Sequence, residues 1–128
     1  MKRKYLIVIA DYYKDISKGL LSSAKDILPK SSLIKIINVP GVFEIPVTIS
    51  KNIKKYDAFL ALGCVIKGQT PHFDFISHSS TDAIMKLSIE HKKPIGNGII
   101  TCLNMRQAKA RKKKGREAAQ AVISVLSQ

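Results

Sequence analysis

Tyr56-Asp57-Ala58-Phe59-Leu60-Ala61-Leu62-Gly63, followed at a short distance by Gly68-Gln69-Thr70-Pro71-His72-Phe73-Asp74-Phe75, decides how this 128-residue chain folds. The first piece is almost wholly apolar, the pattern of a strand covered on both faces. The second piece carries turn residues and leads into a long pattern with Ile76, Ser80, Ala83, Ile84 and Leu87 on one helical stripe. A strand that passes into a helix through such a loop is half of a parallel βαβ unit. Open sheets of that kind collect ligands at the carboxyl ends of their strands.

Working outward, the order is strand and helix in alternation, which predicts a parallel sheet with helices on both faces. Lys4 to Ala10 is the first strand. Ile16, Leu20, Ala24 and Ile27 mark the first helix, closed by Pro29. Leu33 to Val39, with Lys35 pointing outward, is an edge strand. Pro40-Gly41 turns the chain, and Val42, Ile45, Ile49 and Ile53 trace a second helix, with Pro46 in its first turn where the missing N–H does no harm. The third strand runs from Tyr56 to Gly63 and extends toward Ile66. Pro94 opens a fourth strand through Thr101. The remainder predicts a broken helix: Asn104 to Lys112, an interruption at Gly115, then Glu117 to Leu126 with Ala118, Val122 and Val125 inward. No repeat, low-complexity linker or domain boundary stands out, so residues 1–128 are expected to form a single domain.

A chain of this length with 45% hydrophobic residues buries roughly two thirds of its unfolded surface. No apolar run approaches the roughly 18 residues that span a bilayer. The start, Met1-Lys2-Arg3-Lys4 before Tyr5-Leu6-Ile7-Val8-Ile9-Ala10, has the look of a signal peptide. Asp11 ends the apolar stretch early, so it reads as a strand with a basic lead-in. Cys64 and Cys102 have no paired spacing and are expected as reduced, buried thiols of a cytoplasmic protein. His72, His78 and His91 form no metal-ligand motif. The net charge of +13 draws in phosphates. Much of it sits in Arg106, Lys109, Arg111, Lys112, Lys113, Lys114 and Arg116, with no acid between them. That run is either a solvated face or a grip on a substrate phosphate, and both readings can hold.

The strand ends bring together Asp11-Tyr12-Tyr13, Val39 to Glu44, Cys64 to His72, and Thr101 onward. This inventory holds aromatic faces, a carboxylate, an imidazole and a glycine-containing loop before a helix, where backbone N–H groups can receive a phosphate. Gly-x-Gly-x-x-Gly and the P-loop motif are absent, which argues against dinucleotide and P-loop nucleotide binding. The imidazole of His72 suits proton transfer; a histidine bonded to backbone at a helix start is the competing reading. Glu44 is either a ligand acceptor or a carboxylate favoured by a helix dipole. Tyr12 and Phe43 are either rim residues or stacking surfaces. His78 and His91 read as helix-surface residues.

Three segments together resemble the lumazine synthase family: Val39-Pro40-Gly41-Val42-Phe43-Glu44-Ile45-Pro46, Ala61 through Phe75 with its Gly68-Gln69-Thr70-Pro71-His72-Phe73-Asp74 core, and Pro94-Ile95-Gly96-Asn97-Gly98-Ile99-Ile100-Thr101. Gln107-Ala108 with Arg111, and Lys114-Gly115 with Glu117-Ala118-Ala119, extend the likeness over essentially the whole chain. The resemblance implies a flavodoxin-like three-layer α/β/α sandwich with a four-stranded parallel sheet in the order 2-1-3-4. It implies condensation of 5-amino-6-(D-ribitylamino)uracil with 3,4-dihydroxy-2-butanone 4-phosphate, giving 6,7-dimethyl-8-ribityllumazine, phosphate and water, without metal or organic cofactor.

By that resemblance His72 transfers protons, and Tyr12 stacks on the pyrimidine. Val42, Phe43 and Glu44 bind the ribityl chain and ring. Cys64, Val65 and Ile66 offer backbone hydrogen bonds to the pyrimidine, and Asn97 reaches it across a subunit boundary. Gln69 and Thr70 form the loop for the butanone phosphate, which Arg111 and Lys114 help to clamp. The resemblance also implies a homopentamer with active sites shared between neighbours, acting on small molecules with no nucleic-acid or membrane partner. Because the chain begins almost at its first strand, a free pentamer is expected rather than an icosahedral shell. One departure is plain: only Lys112-Lys113 separate Arg111 from the Lys114-Gly115 pair, where the family has a longer loop.

Three other readings compete, one of them a related pentameric riboflavin synthase, which the His72-Phe73-Asp74 segment fits poorly. A basic nucleic-acid-binding module would explain the charge, but it leaves the His72 loop unused and shows no base-reading motif. An inactive scaffold of the same fold is disfavoured by Phe43, Glu44, Thr70 and His72 occurring together.

Overall fold

The structure is a computed structural model that describes residues 2–68 and 72–128. Its strands are β1 (Lys4–Ala10), β2 (Leu33–Val39), β3 (Ala58–Ile66) and β4 (Ile95–Cys102). Its helices are α1 (Lys14–Lys25), α2 (Ile45–Asn52), α3 (His72–His91), α4 (Met105–Ala110) and α5 (Lys114–Leu126), with a 3₁₀ turn at Val42–Glu44. All strand pairs are parallel and the order is β2-β1-β3-β4. The expected flavodoxin-like three-layer α/β/α sandwich is what forms.

Alternation along the strands builds two cores from one sheet, because successive side chains point to opposite faces. Tyr5, Ile7 and Ile9 of β1 join Leu60, Leu62 and Cys64 of β3 beneath Ile16, Leu20 and Ala24 of α1 and Ala118, Ala119 and Val122 of α5. On the other face Leu6, Val8 and Ala10 join Phe59, Ala61 and Val65 beneath Ile45 and Ile49 of α2 and Ile84 of α3. The central strands are therefore continuous apolar runs. The edge strand β2 is only partly covered.

The other edge strand, β4, is fully covered on one face only; on the other, Ile95 and Ile99 are partly packed against the second core. Gly96, Gly98, Ile100 and Cys102 are buried, whereas Asn97 and Thr101 are exposed. Gly96 allows α5 to rest on the strand: a Cβ there would overlap the Ala118 carbonyl oxygen and lie 2.7 Å from Leu60 Cδ2. At Gly98 a Cβ would lie 2.5 Å from Leu62 Cδ2. The two glycines thus set how closely the last helix approaches the sheet.

Several boundaries differ from the sequence expectations. The first helix ends at Lys25, before Ile27, with Asp26 as its C-cap. The second begins with a 3₁₀ turn, and Pro46 does fall at its start. β3 reaches Ile66 and β4 continues to Cys102. Gly115 does not interrupt a helix but lies buried in the first turn of α5; the break falls at residues 111–113. Val125, expected inward, is 46% exposed, and Ala119 takes the inward position instead. In the last turn of α5, Leu126 rather than Val125 turns toward the core and packs against it.

Candidate functional site

The carboxyl ends of β1 and β3 and the turn after β2 enclose one crevice. Ser17 fixes the first wall: its Oγ donates to Ala10 O over 2.7 Å in a buried setting, fastening α1 to the end of β1. The chain between them, Asp11 to Tyr13, is thereby held at the crevice mouth. Tyr12 and Tyr13 meet edge to face, with ring centroids 4.9 Å apart and planes at 83°. Tyr12 is 74% exposed and Phe43 is 67% exposed. Open aromatic faces beside a crevice are surfaces on which a flat ring can stack.

A hollow of about 340 Å³ is lined by Tyr12, Tyr13, Gly41, Val42, Cys64, Val65, Ile66, His72 and Ile76. A second of about 400 Å³ adjoins it, sharing Gly41, Val42, His72 and Ile76, and adds Phe43 and Glu44. Eight of the sequence-selected residues therefore meet here: Tyr12, Val42, Phe43, Glu44, Cys64, Val65, Ile66 and His72. Their convergence follows from topology, since β1 and β3 are neighbours and the 3₁₀ turn carries the chain back across β3. Gly63 permits that crossing: a Cβ on it would lie 2.9 Å from Val42 Cγ2.

Glu44 occupies the N-cap position of α2 but makes no capping hydrogen bond with its side chain. The carboxylate is therefore not used up in holding the helix. His72 is the first residue of α3 and is exposed at the junction of the two hollows. Cys64 is buried, and desolvation, with Cys102 beside it, pushes its thiol up to about 12. It stays protonated at neutral pH, so it supplies no nucleophile and its contribution is shape and backbone. Desolvation first, then Cys64 and Tyr12, also raise Tyr13, which keeps its phenol neutral.

Asn97, Arg111 and Lys114 lie elsewhere. They line a separate hollow of about 760 Å³ on the more open face of β4, together with Thr81, Ile99, Thr101, Lys113 and Glu117. Asn97 Oδ1 accepts from Ile99 N over 3.0 Å. Arg111 Nη1 donates to Thr101 O over 3.2 Å, which folds the guanidinium onto the carboxyl end of β4. Asn104 caps α4 by accepting from Gln107 N over 2.9 Å, and Gln107 Oε1 accepts from Leu103 N over 2.7 Å. This reciprocal cap fixes the start of the short helix that presents Arg111. Lys114 Nζ sits 3.6 Å from Glu117 Oε1, a solvated pair of small energetic weight.

Gln69 and Thr70, selected for the phosphate loop, lie outside the described residues. His78 and His91 are exposed on α3 as expected. Sequence reasoning listed Tyr13 among the strand-end residues without giving it a role, although its place after Tyr12 was the available signal. Thr81 and Glu117 were not selected, because only the docking of α3 and α5 beside β4 brings them to the second hollow. Among the described residues no three His, Cys, Asp or Glu side chains gather to hold a metal ion, and no helix is long and apolar enough to cross a membrane.

A parallel sheet in this order, with its crevice at the carboxyl ends of the strands, defines a flavodoxin-like α/β protein. The family model for 6,7-dimethyl-8-ribityllumazine synthase matches residues 2–128. The chain is similar to the 6,7-dimethyl-8-ribityllumazine synthase of Bartonella bacilliformis, 42% identical across 95% of this chain and 87% of that protein. Against the protein of the same name from Agrobacterium fabrum it is 41% identical, across 98% and 93%. The Bartonella henselae protein is 43% identical across 98% and 88%. The chain belongs to the 6,7-dimethyl-8-ribityllumazine synthase family.

Proposed function

We propose that this chain is the transferase its family name describes. It condenses 5-amino-6-(D-ribitylamino)uracil with 3,4-dihydroxy-2-butanone 4-phosphate to 6,7-dimethyl-8-ribityllumazine, the penultimate step of riboflavin biosynthesis. The amine attacks the ketone, loss of water gives a Schiff base, phosphate leaves, and ring closure releases a second water. Much of the rate comes from holding two reactants in one orientation. Residues 1–128 form one domain, and the reaction proceeds in the cytoplasm without a cofactor.

In this reading the pyrimidine ring lies on Tyr12, with Cys64, Val65 and Ile66 presenting backbone groups to it. Val42, Phe43 and Glu44 receive the ribityl chain, Glu44 accepting from its hydroxyls. His72 moves the protons of dehydration and elimination. Gln69, Thr70, Arg111 and Lys114 hold the butanone phosphate, Arg111 through paired N–H donors. Small-molecule chemistry of this kind also accounts for the His72 loop, which a nucleic-acid-binding reading leaves idle.

One observation carries the reading furthest. The eight crevice residues and the trio Asn97, Arg111 and Lys114 line different hollows of one chain. The trio gathers at the edge strand β4, on which Asn97 and Thr101 are exposed. A homopentamer with sites at the subunit boundaries brings one protomer's trio to the next protomer's crevice. Exposed Leu33, Val47, Met85 and Ile89 give such contacts apolar surface. Purified protein mixed with both substrates should generate the lumazine chromophore, and light scattering should give the mass of five chains. No chromophore from correctly folded protein would reject the activity; a monomer or a mass near a megadalton would reject the free pentamer.

A further inference from the structure

The turn between α4 and α5 places Arg111, Lys112, Lys113 and Lys114 in succession, with no acid before Glu117. Mutual repulsion among these cations works to spread the segment. It is nevertheless wound tightly: Lys114 N donates to Arg111 O over 3.0 Å, and Arg116 N donates to Lys113 O over 3.0 Å.

The fastening comes from α1. Ser23 Oγ lies 3.0 Å from Leu20 O and 2.9 Å from Lys112 O, so its one proton is shared between two carbonyls. The same oxygen accepts from Arg116 N over 3.2 Å. One half-buried hydroxyl thus ties the turn at both its middle and its exit. Two glycines make the approach close enough. At Gly19 a Cβ would lie 2.5 Å from Lys112 Cδ, so the lysine stem crosses α1 where a side chain is missing. At Gly115 a Cβ would overlap Leu20 O and lie 2.7 Å from Ser23 Oγ.

Arg111 and Lys114 flank this fastened turn, and both line the hollow beside β4. We infer that Ser23 is a positioning residue for the anion-binding pair: it pins the shortened Arg111–Lys114 turn to α1, so that the two cations stand at a set separation before any phosphate arrives. The inference rests on the proposed phosphate-binding role of Arg111 and Lys114. It explains how a turn this short and this charged keeps a fixed form, and it assigns the preorganisation to a residue that touches no substrate.

The test uses the full-length protein and Ser23→Ala, with inorganic phosphate as the probe in calorimetry. The phosphate dissociation constant should rise about five- to tenfold, as expected when a hydrogen-bonded anchor is lost beneath a charged site. The KM for the phosphorylated ketone should rise in parallel, while kcat and the KM for the pyrimidine stay within about twofold. A merely structural loss would lower the active fraction and leave both KM values alone. Unchanged phosphate affinity in Ser23→Ala overturns the inference. If that variant does not fold, hydrogen exchange on the wild type decides: the Arg116 amide should be protected without phosphate, and protection appearing only after phosphate is added overturns it. Phosphate binding is read without turnover, so wild-type protein that binds phosphate yet makes no lumazine defeats the proposed reaction and spares this inference.

Discussion

Gly96→Ala isolates the close seating of α5 on β4. An added Cβ would overlap the Ala118 carbonyl oxygen, and it would stand 2.9 Å from the Ala118 carbonyl carbon and 2.7 Å from Leu60 Cδ2. Leu60 is fully buried between the layers and cannot swing away. The carbonyl belongs to the helix backbone, so α5 itself must lift by several tenths of an ångström. Overpacking of this kind costs about 1–3 kcal/mol, and obstruction by backbone places this site at the upper end. Replacing glycine returns about 0.5–1 kcal/mol through the lower entropy of the unfolded chain. The net loss is therefore about 2 kcal/mol. With a urea slope of about 1–3 kcal/mol/M, the unfolding midpoint should fall by roughly 1 M.

The companion change is Gly68→Ala, where an added Cβ meets nothing within 4 Å. It should leave the midpoint within about 0.3 M of wild type. Both variants need comparison at one protomer concentration, because association adds to apparent stability. Equal midpoints for the two variants would show that the approach of α5 is not set by the missing side chain. A displaced α5 also carries Lys114 and Glu117 with it. Gly96→Ala should therefore weaken phosphate binding as well as folding.

His72→Ala should slow turnover by about 10²–10⁴-fold while the pyrimidine still binds, since proton transfer rather than affinity is removed; turnover like the wild type would refute the role. Arg111→Ala should raise the KM for the phosphorylated ketone by about tenfold or more, the loss expected of a charge-assisted contact. An unchanged KM would reject the clamp. Stability should fall on raising the pH above 9. Cys64 is held as a thiol to about 12 in the folded chain against an ordinary value of 9.0, so between those limits the unfolded state releases a proton that the native state keeps. Cys64 alone gives at most about 1.4 kcal/mol per pH unit, the limit for a single proton, and Tyr5 and Tyr13, both raised by burial, add to the slope at higher pH. Cys64→Ala should reduce the slope, and an identical alkaline slope in that variant would exclude this cause.

Local periodicity made β1, β3 and the stripe of α1 readable, because a strand's faces follow from residues two apart and a helix's stripe from residues three and four apart. The segments around Gly41-Val42-Phe43-Glu44 and His72 carried the family likeness for the same reason: each binding element is continuous in the chain. Gly115 was misread because glycine beside a charged run looks like a helix break by propensity alone. A partner far away in sequence, the Leu20 carbonyl on α1, is what requires it. Val125 failed likewise, since Leu126 beside it is the residue of that turn which packs against the core.

The amino-acid order by itself determined the alternation of strands and helices, the doubly covered central strands, the family, and which residues were candidates for chemistry. The docking of elements decided the rest. Crossovers set β4 at an edge with one face more open, and that edge holds Asn97, Arg111 and Lys114 away from the crevice of Tyr12, Glu44 and His72. It also decided that a serine on α1 would tie down the basic turn. Hydrophobic pattern acts between neighbours in the chain, whereas a site is a set of distances between residues that only packing brings within reach.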